Sequence, residues 1–350
     1  MNNNYSSAIN TSNFLTVKAK AIGSKKNLYQ IDFLRGAASL SVCMFHLVRG
    51  NSSFLKNSHL TVFNYFSYGW LGVQVFFIIS GFIICYSLPV NYKLNNFSTF
   101  LKKRLVRVEP SYLISILLTL TVAYIAALVT HNTVSVSYKN LLYHLGYLNN
   151  FTTNTYINNV YWTLGIEFQF YILIGLLFPL FNKSVCVFML IIIGLLALSY
   201  IRISNTSLIF EHLPLFCIGI LIYFILYDDK YPKPILLLLS AITLMAMLSN
   251  IVIFVISLIT ISIIIIPFPK NKIFSFFSAI SYPLYLVHIP IGGRVINLSL
   301  RFAKTDFQKD VAIITALLIS IIAAYLFHIV IEKPTINWSK KIKYSICGET

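Results

Sequence analysis

An arginine and a histidine lie eleven residues apart on one apolar stretch near the start of the chain. Arg35 and His46 both fall within residues 29–49. Eleven residues at about 100° each make three helical turns plus roughly 20°, so both side chains lie on one face, about 16 Å apart along the axis. A charged side chain costs about 2.5–3.5 kcal/mol at the centre of a membrane helix on insertion scales. The pair therefore predicts a polar track through a membrane, although a snorkelling Arg and a hydrogen-bonded His would explain either residue alone.

Two further arginines form a second candidate site. Arg104 and Arg107 follow Lys102 and Lys103 and precede Pro110. A spacing of three residues places both guanidinium groups on one helical face, and a pair of arginines matches the geometry of phosphate or pyrophosphate. The alternative is a basic patch that binds lipid headgroups.

A carboxylate and a histidine complete the candidates. Glu167 opens the fourth apolar stretch, and a carboxylate inside a membrane is a functional candidate by default, the alternative being a partner for an arginine. His288 lies close to Tyr282 and Tyr285 in the ninth stretch, where a helix–helix contact is the simpler interpretation. We predict that Glu167, His288, Tyr282 and Trp162 bind the acceptor substrate.

The composition predicts the elements that must position these residues. The chain of 350 residues is 57% hydrophobic and only 11% charged, with a mean hydropathy of +0.78. Because soluble domains carry about 25% charged residues, these values predict an all-α, multi-pass membrane protein. Ten stretches have about the length that a bilayer needs. They run approximately over 29–49, 68–88, 111–130, 161–181, 184–201, 208–227, 234–249, 251–268, 274–297 and 311–331.

The distribution of positive charge predicts the orientation. Eighteen of the 27 Lys and Arg residues fall on the side of the N-terminus, which predicts cytoplasmic N- and C-termini in an inner (plasma) membrane. The predicted parts are a polar cytoplasmic tail at 1–27, a ten-helix membrane domain at 28–334 and a basic cytoplasmic tail at 335–350. The tail at 1–27 lacks the apolar core of a removable signal peptide.

Several function classes find no support in the sequence. The net charge of +17 reflects topology and contact with anionic lipid, so no nucleic-acid partner is predicted. The five cysteines form no CxxC pair, which argues against a disulfide framework and a metal site. No Walker A loop, HExxH or GxSxG motif is present. The loop at 131–160 is rich in Asn, Thr and Tyr, which suits carbohydrate but better suits a structured, hydrated loop.

Taken together, these residues resemble the acyltransferase 3 family of integral membrane enzymes that O-acylate, mostly O-acetylate, cell-surface glycans. The similarity covers about residues 29–334, and one departure is Gln74, where many members carry Asp. In the first matching segment, Ile31–Gly36, ten residues separate Arg35 from the following His46. The other matching segments, in the order of the family, are Gly72–Phe82, Arg104–Arg107 with Pro110, Trp162–Glu167, Ile280–His288 and Glu332–Pro334.

The resemblance implies ten core helices, acetyl-CoA as the acyl donor, and His46 as the catalytic residue. It places Arg35, Arg104 and Arg107 near the donor and gives Glu167 a functional part. We predict that Glu167 either holds the tautomer of the His46 imidazole or binds the acceptor, and that Arg35 either stabilises the thioester oxyanion or holds phosphate. A second departure is that only sixteen residues follow Pro334, so we expect a chain without the fused hydrolase-like domain of some members. The predicted reaction is acetyl transfer to a sugar hydroxyl of a surface or lipid-linked glycan, such as an O-antigen or exopolysaccharide. The alternatives are a transporter or flippase of a glycan intermediate and a non-catalytic partner in glycan export.

Overall fold

The structure of the protein is a computed structural model that describes residues 28–51, 53–55, 65–89, 91–131, 133, 136–152, 155–203 and 207–344. The predicted tail at 1–27 and the last residues of the tail at 335–350 lie outside the described residues. Within the described ranges the fold is all-α, as predicted, and contains no strand.

Fourteen α-helices lie within the described residues. In chain order they are α1 (Tyr29–Arg49), α2 (Leu71–Ser87), α3 (Phe97–Thr130), α4 (Tyr138–Leu145), α5 (Trp162–Phe181), α6 (Val185–Leu198), α7 (Leu213–Tyr227), α8 (Lys233–Ala246), α9 (Ile251–Ile265), α10 (Lys272–Ala279), α11 (Ser281–Val287), α12 (Gly292–Ser299), α13 (Asp306–Phe327) and α14 (Lys333–Lys341), with a π-helical turn (His328–Glu332) between the last two.

Six helical segments of the described chain are long and apolar enough to cross a membrane. They are Tyr29–Arg49, Tyr65–Ser87, Leu94–Thr130, Trp162–Phe181, Phe210–Tyr227 and Asp306–Lys341. These segments match the first, second, third, fourth, sixth and tenth predicted spans. The fifth, seventh and eighth predicted spans correspond to the shorter apolar helices α6, α8 and α9.

The ninth predicted span is not a single helix. Residues 274–297 are divided among α10, α11 and α12. Pro283 lies just after the first break, and Pro290 lies within the second. Proline lacks the N–H that a helix interior needs, and its ring disfavours helical backbone in the residue before it. Hydropathy does not detect such breaks, because the interrupted stretch stays apolar throughout.

Two glycines allow α2 and α7 to pack in close contact. A Cβ atom added to Gly81 would lie 2.2 Å from the Phe216 carbonyl oxygen, and one added to Gly219 would lie 2.1 Å from the Ile78 carbonyl oxygen. Small residues at such contacts let helix backbones approach one another inside a membrane. The contact fixes the position of α2 and of Ser80, the neighbour of Gly81.

The last helix packs against the beginning of α3. The Thr335 hydroxyl donates a hydrogen bond to the Arg107 carbonyl oxygen at 3.1 Å, and the Lys103 ammonium donates to the Ser339 carbonyl oxygen at 3.2 Å. This packing brings Glu332, at the end of the π-helical turn, to the part of α3 that carries Arg104 and Arg107.

Candidate active site

A cavity of about 130 Å³ lies among α1, α2, α3, α5 and α11. Its lining includes three arginines and two glutamates: Arg35, Arg104, Arg107, Glu167 and Glu332. A polar cavity of this volume has room for several water molecules. Because three cationic side chains face two anionic ones, the lining favours an anionic ligand. Arg104 and Arg107 therefore reach this cavity, as a phosphate site requires.

Arg104 is held by its neighbours on three sides. Its guanidinium donates a hydrogen bond to the Ser87 hydroxyl. The same group lies 5.5 Å from the ring centroid of Phe100 and 5.8 Å from that of Tyr171. Contacts of this kind fix the plane of a guanidinium, which carries five N–H donors in all. Arg104 is thus oriented in advance and keeps donors for a ligand.

Glu167 belongs to the same cavity as the arginines. Its Oε1 atom accepts hydrogen bonds from the Ser80 hydroxyl at 3.0 Å and from the Tyr171 hydroxyl at 2.6 Å. Tyr171 lies one helical turn further along α5, where a residue four positions away is a neighbour. These bonds give Glu167 a fixed orientation, and they do not connect it to His46.

His46 forms a pair with His288. The Nδ1 atom of His46 lies 3.0 Å from the Val42 carbonyl oxygen and 3.2 Å from Nε2 of His288. The Nδ1 atom of His288 lies 2.8 Å from the Leu284 carbonyl oxygen. His288 is fully buried, whereas His46 is partly exposed. The expected helix–helix contact of His288 therefore exists, and its partner is the predicted catalytic residue.

Tyr285 marks the boundary between the histidine pair and the cavity. Neither His46 nor His288 lines the cavity, whereas Tyr285 does. The Tyr285 ring centroid lies 6.1 Å from that of His288, and its hydroxyl lies 2.6 Å from the Thr163 hydroxyl. The predicted polar track is thus two polar regions with one aromatic ring between them.

Comparison with known proteins gives this arrangement a family. A family model described as an acyltransferase domain matches residues 28–333. The chain belongs to the acyltransferase 3 family. A similar protein from Acidianus two-tailed virus bears the name "Putative acetyltransferase ORF330", and it is 26% identical over 331 residues, covering 84% of this chain and 94% of that protein. No solved structure matches the chain. The protein is therefore an acyltransferase with a multi-pass membrane fold, and this membership favours the enzyme over the transport alternative.

The four residues predicted to bind the acceptor do not lie together in this acyltransferase. Glu167 and Tyr282 line the cavity, where the Tyr282 hydroxyl donates to the Val108 carbonyl oxygen at 3.1 Å. Trp162 lines a separate pocket with Tyr156, Glu211 and His212, among others. His288 is buried against His46.

Several residues of the site are missing from the sequence-based prediction. Ser80 and Tyr171 bind Glu167, and only the second has a readable signal, its spacing of four residues from the carboxylate. Glu332 belongs to a segment that matches the family, and the structure places it in the cavity. Its Oε2 atom lies 2.6 Å from Nδ1 of His328. A π-helical turn, which is common at functional sites, brings this pair together.

The described part of the loop between α3 and α5 is structured, as predicted. The Nδ1–H of His144 donates to the Asn140 carbonyl oxygen at 2.9 Å, and its Nε2 accepts from the Ile157 amide at 3.1 Å. Burial lowers the pKa of His144. Tyr147 has a positive φ of 56°, and its hydroxyl donates to Glu109 at 2.7 Å. The loop is thus anchored to α3 by buried polar contacts.

Proposed function

We propose that this acyltransferase moves an acetyl group from acetyl-CoA to a sugar hydroxyl of a cell-surface or lipid-linked glycan at the inner (plasma) membrane. The observation that supports the donor is the convergence of three guanidinium groups on one cavity. Arginine binds phosphate and pyrophosphate through paired, charge-assisted hydrogen bonds, and CoA carries both groups. The three arginines share this cavity with side chains of α2, α5 and α11, which favours a bound ligand over a lipid headgroup at the membrane surface.

In this proposal His46 acts as the general base. It takes the proton from the sugar hydroxyl as the oxygen forms a bond to the acetyl carbonyl carbon. The carbon–sulfur bond of the thioester then breaks, and the CoA thiolate leaves and accepts a proton. Arg35 either stabilises the developing oxyanion or holds phosphate. An acetyl-His46 intermediate is the alternative route through the same residue.

The length of the donor suits the separation of the two polar regions. Arg35 and His46 lie about 16 Å apart along α1. A donor whose phosphates bind the arginines must therefore carry its thioester on an extended arm, and the pantetheine arm of CoA is of that type. Tyr285 lies between the two regions, so the arm passes this ring.

The proposal is tested by mass spectrometry of surface glycans and by transfer in purified form. Glycan from cells with the chain should carry an added acetyl mass that is absent from cells without it. Purified protein in detergent should transfer label from acetyl-CoA to that glycan, and the variant His46→Ala should not. Acetylation that continues in the absence of the chain, or undiminished transfer by His46→Ala, would refute the proposal.

A further inference from the structure

The hydrogen bonds of the two histidines assign their protons. A backbone carbonyl oxygen only accepts hydrogen bonds. The Leu284 oxygen, 2.8 Å from Nδ1 of His288, therefore requires a proton on that nitrogen. The Val42 oxygen, 3.0 Å from Nδ1 of His46, requires one there as well. Each ring thus carries its proton on Nδ1.

The contact between the rings agrees with only one arrangement of the remaining protons. The Nδ1–H of His46 faces Nε2 of His288 at 3.2 Å. If His288 were also protonated on Nε2, two donors would face one another, and the Nε2–H of the fully buried His288 would lack an acceptor. Nε2 of His288 is therefore a lone-pair acceptor. The Nδ1–H of His46 is shared between this nitrogen and the Val42 carbonyl oxygen.

We propose that His288 is a positioning residue that keeps His46 in its Nδ1–H form, so that Nε2 of His46 is the nitrogen that takes the proton of the acceptor hydroxyl. This inference rests on the proposed function, in which His46 is the base. Within the described part of the chain, no hydrogen bond reaches Nε2 of His46, in contrast to Nε2 of His144, which binds a backbone amide.

A neutral positioning group suits this environment. Catalytic histidines are commonly oriented by a carboxylate on the nitrogen opposite to the reactive one. A carboxylate beside His46 would add a buried charge, whereas a neutral imidazole does not. When Nε2 of His46 takes the proton, the ring becomes a cation, and its Nδ1–H bond to His288 becomes charge-assisted and stronger. His288 thus supports the charge that the reaction creates.

Two amide substitutions separate this role from simple packing. In His288→Gln the amide oxygen can occupy the position of Nε2 and accept the proton of His46. In His288→Asn the shorter amide reaches the position of Nδ1 and the Leu284 carbonyl oxygen, but it offers His46 no acceptor. We expect the Gln variant to retain most of kcat and the Asn variant to lose about 10–100-fold, the usual effect of removing an orienting partner. The KM for acetyl-CoA should stay unchanged in both.

The outcomes are distinguishable from failure of the proposed function. Full activity of His46→Ala would refute the base itself, whatever His288 does. An inactive His46→Ala together with equal kcat values for His288→Gln and His288→Asn would overturn only the role of His288. Both His288 variants are to be compared by their unfolding temperature in detergent.

A direct measurement covers the case in which the Asn variant does not fold. The ¹⁵N spectrum of histidine-labelled wild-type protein in lipid reports which ring nitrogen carries the proton. The signals of His46, identified among the seven histidines by their absence in His46→Gln, should show a protonated Nδ1 and an unprotonated Nε2. The opposite pattern would overturn the inference.

Discussion

Arg35 and His46 lie on the same helix, but their surroundings differ in charge and in how many elements supply them. Around Arg35 the cavity collects charged side chains from α1, α3, α5 and the π-helical turn. Around His46 the polar partners are one neutral histidine and one backbone carbonyl. In our proposal the first region binds the anionic donor, whereas the second holds one ring in one tautomer. Binding and proton transfer would then be separated along α1, and kinetics can test that separation.

The largest effect should come from the histidine pair. His46→Gln removes the base, so we expect kcat to fall by about 10²–10⁴-fold while the KM for acetyl-CoA stays near its wild-type value. Steady-state assays with labelled acetyl-CoA measure both constants. A matched increase of KM would show that His46 contributes to donor binding and that the two regions are not separate.

Substitutions of the cavity arginines should change the KM for acetyl-CoA, in contrast to the effect on kcat expected for His46. We expect Arg104→Gln combined with Arg107→Gln to raise the KM for acetyl-CoA by about 100-fold or more, because each charge-assisted bond contributes about 1.5–3 kcal/mol. The control is Lys102→Gln, which removes a positive charge from an exposed position of the same helix. An equal effect of the control would indicate that surface charge, and not the cavity, attracts the donor.

A smaller effect should follow when Arg104 loses its support. In Ser87→Ala the guanidinium keeps its charge and its aromatic neighbours but loses the acceptor that orients it. We expect the KM for acetyl-CoA to rise by about 5–10-fold, in line with the 1–1.5 kcal/mol of a typical hydrogen bond. Binding of acetyl-CoA by calorimetry checks the value, and an unchanged affinity would show that the two rings alone hold Arg104.

The smallest effect concerns His144. Its ring carries the proton on Nδ1, as the ring of His46 does, but both of its nitrogens have hydrogen-bond partners. Because burial lowers the pKa of His144, the unfolded loop binds more protons than the folded loop below the usual pKa of about 6.5. The stability of the loop is therefore complete above that pH and decreases as the pH falls below it. Hydrogen exchange at the Ile157 amide, corrected for its intrinsic rate, should accelerate there.

The control for this prediction is His144→Gln. Its amide oxygen can still accept from the Ile157 amide, but the side chain does not titrate. We expect the pH dependence of exchange to disappear in this variant while acetyl transfer stays close to wild type. Strong loss of transfer would assign a part in the reaction to the loop.

Much of the fold could be predicted because a membrane restricts the backbone conformations that a chain can adopt. Backbone groups in lipid must satisfy their hydrogen bonds within a helix, so long apolar stretches such as 29–49 and 161–181 predict helices closely. The prediction of a single helix for the ninth stretch was wrong, because proline positions divide it and hydropathy does not report them. A continuous α1 likewise follows from the sequence, and with it the shared helix of Arg35 and His46.

The choice of partners depended on the tertiary structure. Sequence could propose that Glu167 orients His46, but the carboxylate instead binds Ser80, 87 residues away. The partner of His46 is His288, 242 residues further along the chain. Hydropathy and helical period report which face of a helix is polar, because they depend on near neighbours. Which two polar faces meet is decided by the packing of helices that are remote in sequence.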